Sequence, residues 1–220
     1  MKPWSFDYET KGFGAAFVSK CQAFSNPKLE LEQYATDAHI AARMLYTAST
    51  SFGDIEDKTV LDLGCGCGAL SLAAVVLGAA RVVGFDIDDN ALAQLRDNAA
   101  SLEVEDEVEL INADVSTIPE ILKERFDTVL LNPPFGTKDN AGVDMMFLKQ
   151  ALSMLEPAGG TVYSMHKSST RDFILKKARE SWQVAKVEVL AEIKFEIKRQ
   201  FKFHTKEKLF VNVDLLRLKK

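Results

Sequence analysis

The stretch Thr59-Val60-Leu61-Asp62-Leu63-Gly64-Cys65-Gly66-Cys67-Gly68 decides the fold of this chain. Its first five residues are β-rich and largely apolar, and residues 69–77 after the glycines have the composition of a buried helix. Glycines at such a strand-to-helix turn let the backbone approach a ligand closely and direct its amide groups toward it. We therefore predict the first βα unit of an open sheet, with a ligand site beyond the end of its first strand.

The same strand–helix alternation extends in both directions from this unit. Upstream, the sequence predicts a short helix over residues 27–33 and a second helix from a cap at Thr36 or Asp37 to about Thr47. Downstream, it predicts strands over residues 81–86, 108–113, 126–131 and 160–165 and helices over residues 89–101, 117–123, 143–155 and 169–181. Residues 185–197 and 208–218 are strand-like with no helix between them, which is typical of antiparallel neighbours. We predict an α/β fold with a mostly parallel seven-stranded sheet, helices on both faces and an antiparallel last strand.

The composition limits the class of protein. The 220 residues suffice for one large α/β domain with a substantial core. No apolar run approaches the length that spans a bilayer, and residues 1–20 lack the apolar stretch of a signal peptide, so we expect an intracellular protein. The three cysteines are an odd number and lack the spacing of a zinc site, so we expect neither a disulfide framework nor a metal.

The charge is unevenly distributed along the chain. The formal net charge is -5, which argues against a protein that grips nucleic acid over its whole surface. Residues 194–220, in contrast, contain nine basic residues and three acidic ones. A basic C-terminal segment therefore follows a more acidic body.

Acidic residues near the glycine turn indicate what it binds. Asp86 ends the second predicted strand, 18 residues beyond Gly68, where nucleotide-binding sheets place an acid for ribose hydroxyls. The glycine turn also satisfies the looser dinucleotide pattern, which keeps a nicotinamide oxidoreductase open as an alternative. Asp62 would repel a pyrophosphate, but it can accept a hydrogen bond from the ammonium group of S-adenosylmethionine.

Two residues after the third predicted strand extend this nucleotide site. The Asp114 carboxylate can accept a hydrogen bond from the exocyclic amine of an adenine, and the Val115 N–H can donate nearby. A helix cap at Asp114 is the structural alternative, and both uses can coexist. The predicted cofactor residues in and after the first two strands are Asp62, Gly64, Gly66, Cys67, Gly68, Asp86 and Ile87. Asn132, which follows the fourth predicted strand, is also a predicted cofactor residue.

The segment Asn132-Pro133-Pro134-Phe135 follows the fourth predicted strand, at the same edge of the sheet as the glycine turn. The Asn132 side-chain oxygen and the Pro133 carbonyl can accept the two N–H bonds of an amino group conjugated with a ring. The prolines fix the backbone, and Phe135 offers a face for stacking a base, worth about 1–3 kcal/mol. Because Asn132 is not basic enough to remove a proton, we predict a catalytic segment that orients a planar amine for methyl transfer.

Several longer motifs lie between residues 29 and 218. They are residues 31–36 (LEQYAT), 39–46 (HIAARMLY), 62–68 (DLGCGCG), 84–88 (GFDID), 132–138 (NPPFGTK), 166–171 (HKSSTR) and 202–204 (KFH). Together they resemble the class I S-adenosylmethionine-dependent methyltransferases with an N-P-P-F/Y motif. The resemblance is greatest to the methyltransferase-like group that forms N6-methyladenosine in 18S ribosomal RNA.

The resemblance implies a Rossmann-like fold, S-adenosyl-L-methionine as cofactor, and Gln33 and Thr36 as further cofactor contacts. It also implies a heterodimer with a small zinc-binding activator subunit that pairs along the edge strand 108–113. The methyltransferase domain is expected over residues 29–220. Residues 1–28 form an irregular segment that departs from the family pattern and receives no role. We expect the protein in the nucleus, including the nucleolus, and in the cytoplasm.

The sequence leaves two alternative functions open. A protein glutamine N-methyltransferase faces the same electronic problem, because an amide nitrogen is also planar, although Phe135 and the basic C-terminal segment favour RNA. A non-catalytic cofactor-binding adaptor is the other alternative, and the presence of Asn132 argues against it.

Weaker candidates for contact with RNA lie near the ends of later strands. His166 and Lys167 end the fifth predicted strand, and Lys202, Phe203 and His204 lie between the last two strands. Basic and aromatic side chains there can hold phosphate or stack bases. A capped strand end and a solvated basic loop are the structural alternatives.

Overall fold

The structure is a computed structural model and describes residues 20–136, 140–182, 184–198 and 208–220. The strands are β1 (Thr59–Leu63), β2 (Arg81–Asp86), β3 (Val108–Asn112), β4 (Thr128–Leu131), β5 (Thr161–Lys167), β6 (Lys186–Lys198) and β7 (Lys208–Lys219). The α-helices are α1 (Ala38–Phe52), α2 (Ala69–Val76), α3 (Asp89–Ser101), α4 (Val143–Met154) and α5 (Arg171–Glu180). Among these helices, none combines the length and the apolar composition needed to cross a membrane.

The strands form one seven-stranded sheet in the order β3-β2-β1-β4-β5-β7-β6. Neighbouring strands from β3 to β5 pair in parallel, whereas β7 runs antiparallel to both β5 and β6. The predicted α/β fold class is therefore confirmed. Because β1 to β5 are parallel, the turns that follow them meet at the same edge of the sheet.

Helices cover both faces of the sheet. Successive residues of β1 point to opposite faces, so that Val60 packs in one core and Leu61 in the other, and both are fully buried. Helices α1, α2 and α3 contribute to the first core, and α4 and α5 contribute to the second. The sheet is thus a rigid layer that fixes the positions of the turns at its carboxyl edge.

Two predicted helices are wrong, for reasons that concern their local hydrogen bonds. Residues 27–33 form turns and no helix: Glu32 has a left-handed backbone with φ 49°, and the side-chain oxygen of Gln33 accepts the N–H of Lys28. Residues 117–123 are replaced by two short 3-10 turns, Val115–Thr117 and Glu120–Leu122. Pro119 lies between these turns and lacks the N–H that an α-helix needs.

Helix α1 begins as predicted and ends later than predicted. The Asp37 side chain caps it by accepting the N–H of His39 at 2.9 Å. The helix continues to Phe52 and ends at Gly53, whose φ of 66° is left-handed. The other predicted elements match the observed bounds or differ from them by at most two residues, a normal uncertainty at element ends.

Gly68 provides a test of how tightly the glycine turn packs. It has φ 92°, and a Cβ at this position would lie 2.5 Å from Leu95 Cγ, whereas Gly53 has φ 66° and open space around it. We expect Gly53→Ala to lower the free energy of unfolding by about 1 kcal/mol through backbone strain, and Gly68→Ala by about 3 kcal/mol, since the clash adds to the strain. Denaturant unfolding of both variants measures the difference, and equal losses would contradict the packing of Leu95 against the turn.

Candidate active site

A cavity of about 250 Å³ lies beyond the carboxyl ends of β1, β2, β3 and β4. The structure brings most of the residues with predicted site roles together around it. Those that line the cavity are Gln33, Thr36, Asp62, Gly64, Gly66, Cys67, Asp86, Ile87, Asp114, Val115, Asn132 and Pro134. Residues from five separate parts of the sequence therefore share one concave site.

The glycine turn is fixed to the end of β2 by hydrogen bonds. The N–H groups of Gly64 and Cys65 both donate to the Phe85 carbonyl at 2.8 Å, and the N–H of Gly66 donates to Asp86 Oδ2 at 2.8 Å. The other oxygen of Asp86, Oδ1, accepts the N–H of Asp88 at 2.9 Å. Burial raises the pKa of Asp86, and these amide hydrogen bonds act in the opposite direction. Asp86 therefore fixes the turn as well as facing the cavity.

Asp62 is a buried carboxylate with one oxygen left over. Its Oδ2 accepts from the backbone N–H of Ser71 at 2.9 Å and from the Ser71 hydroxyl at 2.6 Å. Its Oδ1 is buried and has no hydrogen-bond partner among the described residues. Burial raises the pKa of Asp62 to about 7, although the Ser71 hydrogen bonds counteract this effect. The cavity wall thus contains an acceptor that a ligand can pair.

Asn132 presents a second unpaired acceptor to the same cavity. Its Nδ2 donates to Thr36 Oγ1 at 2.9 Å, while its Oδ1 is buried without a hydrogen-bond partner in the described part of the chain. A buried carbonyl oxygen without a donor is unusual, because most buried polar atoms are hydrogen-bonded. Thr36 therefore orients the amide of Asn132. The remaining atom, Oδ1, can accept a hydrogen bond from an N–H group of a bound molecule.

Gln33 lines the cavity, but both ends of its side-chain amide are bound within the protein. Its Oε1 accepts the N–H of Lys28 at 2.7 Å, and its Nε2 donates to Asp88 Oδ2 at 2.8 Å. The side chain of Lys28 also donates to Asp88, through Nζ to Oδ1 at 2.7 Å. The predicted cofactor contact of Gln33 stays a prediction, and the structure assigns the residue a local role in holding residues 28–33 in place.

Residues 22–36, the cover segment, form one wall of the cavity. Phe24 lies over the glycine turn, its ring 2.7 Å from where a Cβ on Gly66 would be. Asn98 of α3 holds the start of the segment through both the N–H and the carbonyl of Gln22, each at 2.9 Å, and also donates to the Cys67 carbonyl at 2.8 Å. Part of the irregular segment 1–28, which received no role from the sequence, therefore belongs to this site.

Sequence reasoning missed several residues of the site. Phe24, Asn140 and Phe147 line the cavity, and Asp88 and Asn98 fix the cover segment without lining it. Asp88 lies within the GFDID motif, which was a usable signal. The others make contacts that no local pattern reveals.

Some residues with predicted roles lie outside the cavity lining. Gly68 lies behind the turn as the N-cap of α2, and Pro133 is buried. Phe135 is half-buried and packs edge-on against Phe195, with ring centroids 5.7 Å apart. Asp114, in contrast, lines the cavity, but it is exposed and its Oδ1 accepts the N–H of Ser116 at 2.7 Å, so the cap alternative is present.

The structure argues against a phosphate-binding role for His166. Its ring is 1% exposed, with Nε2 2.8 Å from Ser164 Oγ and Nδ1 3.3 Å from Asp144 Oδ2. A phosphate needs an accessible donor, and both ring nitrogens are already engaged. Lys167 lies half-buried at the end of β5, where its predicted role stays a prediction. The candidates Lys202, Phe203 and His204 lie outside the described residues.

Comparison with known proteins identifies the family of this chain. The methyltransferase small domain family matches residues 24–195. The chain is 48% identical over 200 residues to a Danio rerio protein named rRNA N(6)-adenosine-methyltransferase METTL5, covering 91% of this chain and 94% of the relative. It is 45% identical over 202 residues to Drosophila melanogaster Mettl5, which has the same enzyme name, covering 91% and 92%.

A solved structure matches over the whole fold. The crystal structure of a protein from Pyrococcus horikoshii is 35% identical, covers 98% of this chain and 99% of its own, and superimposes with a TM-score of 0.80. The region that matches the family model contains both the glycine turn and the Asn132 segment. The chain is therefore a methyltransferase that belongs to the methyltransferase small domain family, alongside the METTL5 enzymes.

Proposed function

We propose that this methyltransferase transfers a methyl group from S-adenosyl-L-methionine to N6 of one adenosine in 18S, small-subunit, ribosomal RNA. The observation that carries the proposal is the unpaired, buried Oδ1 of Asn132, an acceptor oriented by Thr36 at the edge of the cavity. The METTL5 relatives, named as rRNA N(6)-adenosine methyltransferases, support the choice of RNA and of the adenine amine.

The residues around the cavity fit S-adenosylmethionine. The unpaired Oδ1 of Asp62 is a buried acceptor for the ammonium group, and Asp86 retains lone pairs for ribose hydroxyls beyond the two backbone amides that it binds. Asp114 and Val115 lie where the adenine is expected. When bound, this cofactor supplies a methyl group attached to a positively charged sulfur. A nicotinamide dinucleotide fits less well, because the Asp62 carboxylate would repel its pyrophosphate.

On the acceptor side, Asn132 orients the reacting nitrogen. Its Oδ1 accepts one N–H of the adenine amine, and the Pro133 carbonyl accepts the other. These acceptors stabilise the positive charge that develops on the nitrogen, and the proton is lost to water after transfer, because Asn132 is not a base. No covalent step through the nearby cysteine is needed, and burial raises the pKa of Cys67 to about 12, which keeps it a neutral thiol.

The surroundings of the acceptor segment suit a flipped base. Phe195 of β6 holds the half-buried ring of Phe135, three residues after Asn132 in the sequence, and we propose that one face of this ring stacks on the base. The basic C-terminal segment begins within β6, next to Phe195, and we propose that its lysines and arginines hold RNA phosphates. Methylation of a protein glutamine is the alternative that the experiment below also tests.

We further propose a small zinc-binding activator subunit as partner. Strand β3 supports this proposal, because among the described strands it pairs with β2 alone and leaves its outer edge open to another strand. A chain that is fully soluble and fully active when purified alone would contradict the activator proposal.

We propose the nucleus, including the nucleolus, and the cytoplasm as the location.

Asn132→Ala tests the proposed function. We expect the rate of methyl transfer to fall by at least about 100-fold, as for other lost charge-stabilising groups, while the Kd for S-adenosylmethionine changes by less than about fivefold, since Asp62 and Asp86 remain. The measurement is mass spectrometry of nucleosides from ribosomal RNA of cells that lack the protein, before and after restoration with each variant. Asn90→Ala, an exposed asparagine on α3, is the control. Unchanged N6-methyladenosine in the deletion would overturn the RNA assignment.

Asp62 predicts a pH dependence of cofactor binding. Its pKa of about 7 means that it gains a proton as the pH falls below 7 and then lacks the charge that pairs with the ammonium group. We expect the Kd for S-adenosylmethionine to rise between pH 8 and pH 6, approaching about tenfold per pH unit at the acid end. Asp62→Asn should bind more weakly and show a flatter profile.

Binding of 5′-methylthioadenosine, which lacks the amino-acid part, is the ligand control for this effect. It should not follow the titration of Asp62, and isothermal calorimetry at each pH measures both ligands. Equal pH profiles for the two ligands would contradict the pairing of Asp62 with the ammonium group.

A further inference from the structure

Three donors converge on the buried side chain of Asp88. Lys28 Nζ donates to Oδ1 at 2.7 Å, Gln33 Nε2 donates to Oδ2 at 2.8 Å, and the backbone N–H of Asn90 donates to Oδ1 at 3.1 Å. The Asp88 side chain is 2% exposed, and that of Lys28 is 35% exposed. Lys28 and Gln33 belong to the cover segment, whereas Asn90 belongs to the first turn of α3.

The backbone of Asp88 joins the same arrangement to the cavity. Its N–H donates to Asp86 Oδ1 at 2.9 Å, and Asp86 in turn accepts from the glycine turn. Gln33 lines the cavity and is held at its other end by the N–H of Lys28. Asp88 thus connects Asp86, which faces the cavity, with the cover segment, which forms one cavity wall.

We propose that Asp88 is a positioning residue for cofactor binding, which acts through Lys28 and Gln33 to hold the cover segment closed over the cavity. This inference rests on the proposed function for the identity of the cofactor. Asp88 itself does not line the cavity. Its loss should therefore lower the affinity and the residence time of the cofactor, with little effect on the chemical step.

The hydrogen bonds of Asp88 explain why the segment stays closed. If residues 28–33 moved away, the carboxylate would keep the N–H of Asn90 and lose both side-chain donors, which water would have to replace. Burial alone would raise the pKa of Asp88, but the hydrogen bonds from Lys28, Gln33 and Asn90 lower it overall, so the group remains charged. The closed position is therefore favoured by a charged acceptor that needs these donors.

The cover segment has other attachments that leave the fold intact when Asp88 is changed. Asn98 holds Gln22 at one end, and Asn132 holds Thr36 at the other. Between them, Asn140 donates to the Glu30 carbonyl at 3.1 Å. Loss of the Asp88 contacts should therefore open the middle of the segment without releasing its ends.

Asp88→Ser tests the proposal, because serine still caps α3 but cannot reach both donors of the cover segment. We expect the Kd for S-adenosylmethionine to rise about tenfold, since binding then requires a closed state that is populated about a tenth of the time. At saturating cofactor, kcat should stay within about twofold of the wild-type value. Asp89→Ser removes the same charge from an exposed position on the same turn and should leave the Kd unchanged.

A reversed hydrogen bond provides the rescue test. Asp88→Asn places an amide N–H opposite the N–H of Gln33 and should weaken binding. Adding Gln33→Glu places a carboxylate opposite the new amide N–H at position 88. We expect the double variant to recover a Kd within about threefold of wild type. If the two substitutions acted independently, their losses of binding free energy would instead add. Hydrogen exchange of residues 28–36 without any cofactor should be faster in Asp88→Ser than in Asp89→Ser.

The outcomes separate this proposal from the proposed function. If the wild-type chain fails to bind S-adenosylmethionine, the proposed cofactor is overturned, while the hydrogen-exchange comparison still reports on the cover segment. Equal Kd values for wild type and Asp88→Ser would overturn the positioning role. A double variant no better than Asp88→Asn, or a kcat that falls in proportion to the loss of affinity, would also overturn it.

Discussion

The attachment of the glycine turn to the end of β2 is the constraint on which the site depends. Two amides of the turn share the Phe85 carbonyl, and a third binds Asp86, so the turn cannot move without disrupting β2. The parallel sheet then determines where the turns after β3 and β4 lie relative to it. The site is therefore built on the carboxyl edge of the hydrogen-bonded sheet, as accurate positioning of a reacting methyl group requires.

Two buried acceptors indicate the function of this frame. Asp62 Oδ1 and Asn132 Oδ1 have no hydrogen-bond partner within the described ranges of the chain, and each such loss costs about 1–3 kcal/mol of stability. They come from β1 and from the end of β4, neighbouring strands of the sheet, and both line the same cavity. One acceptor suits a cation and the other a planar amine, which matches the donor and acceptor sides of a methyl transfer.

The sequence predicted the sheet and the convergence of its turns, because hydrophobic periodicity and glycine positions are local signals. It failed for residues 27–33, where contacts with Asp88, about 60 residues away, replace the backbone hydrogen bonds of a helix. The role of Asn98 was not predictable for the same reason, because its partner Gln22 lies 76 residues away in the sequence. The burial of the His166 ring was not predictable, because position at a strand end does not reveal whether a ring is buried.

The cover segment joins the two halves of the site. Its middle is tied to Asp88 beside the cofactor acid, and its last residue, Thr36, holds the amide of Asn132 so that Oδ1 faces the cavity. Release of Thr36 itself would leave Asn132 free to rotate its amide, and the acceptor for the amine would then be lost. The orientation of the acceptor therefore depends on the end of the cover segment, whereas closure over the methyl donor depends on its middle. The end and the middle of one segment thus serve the two sides of the reaction separately.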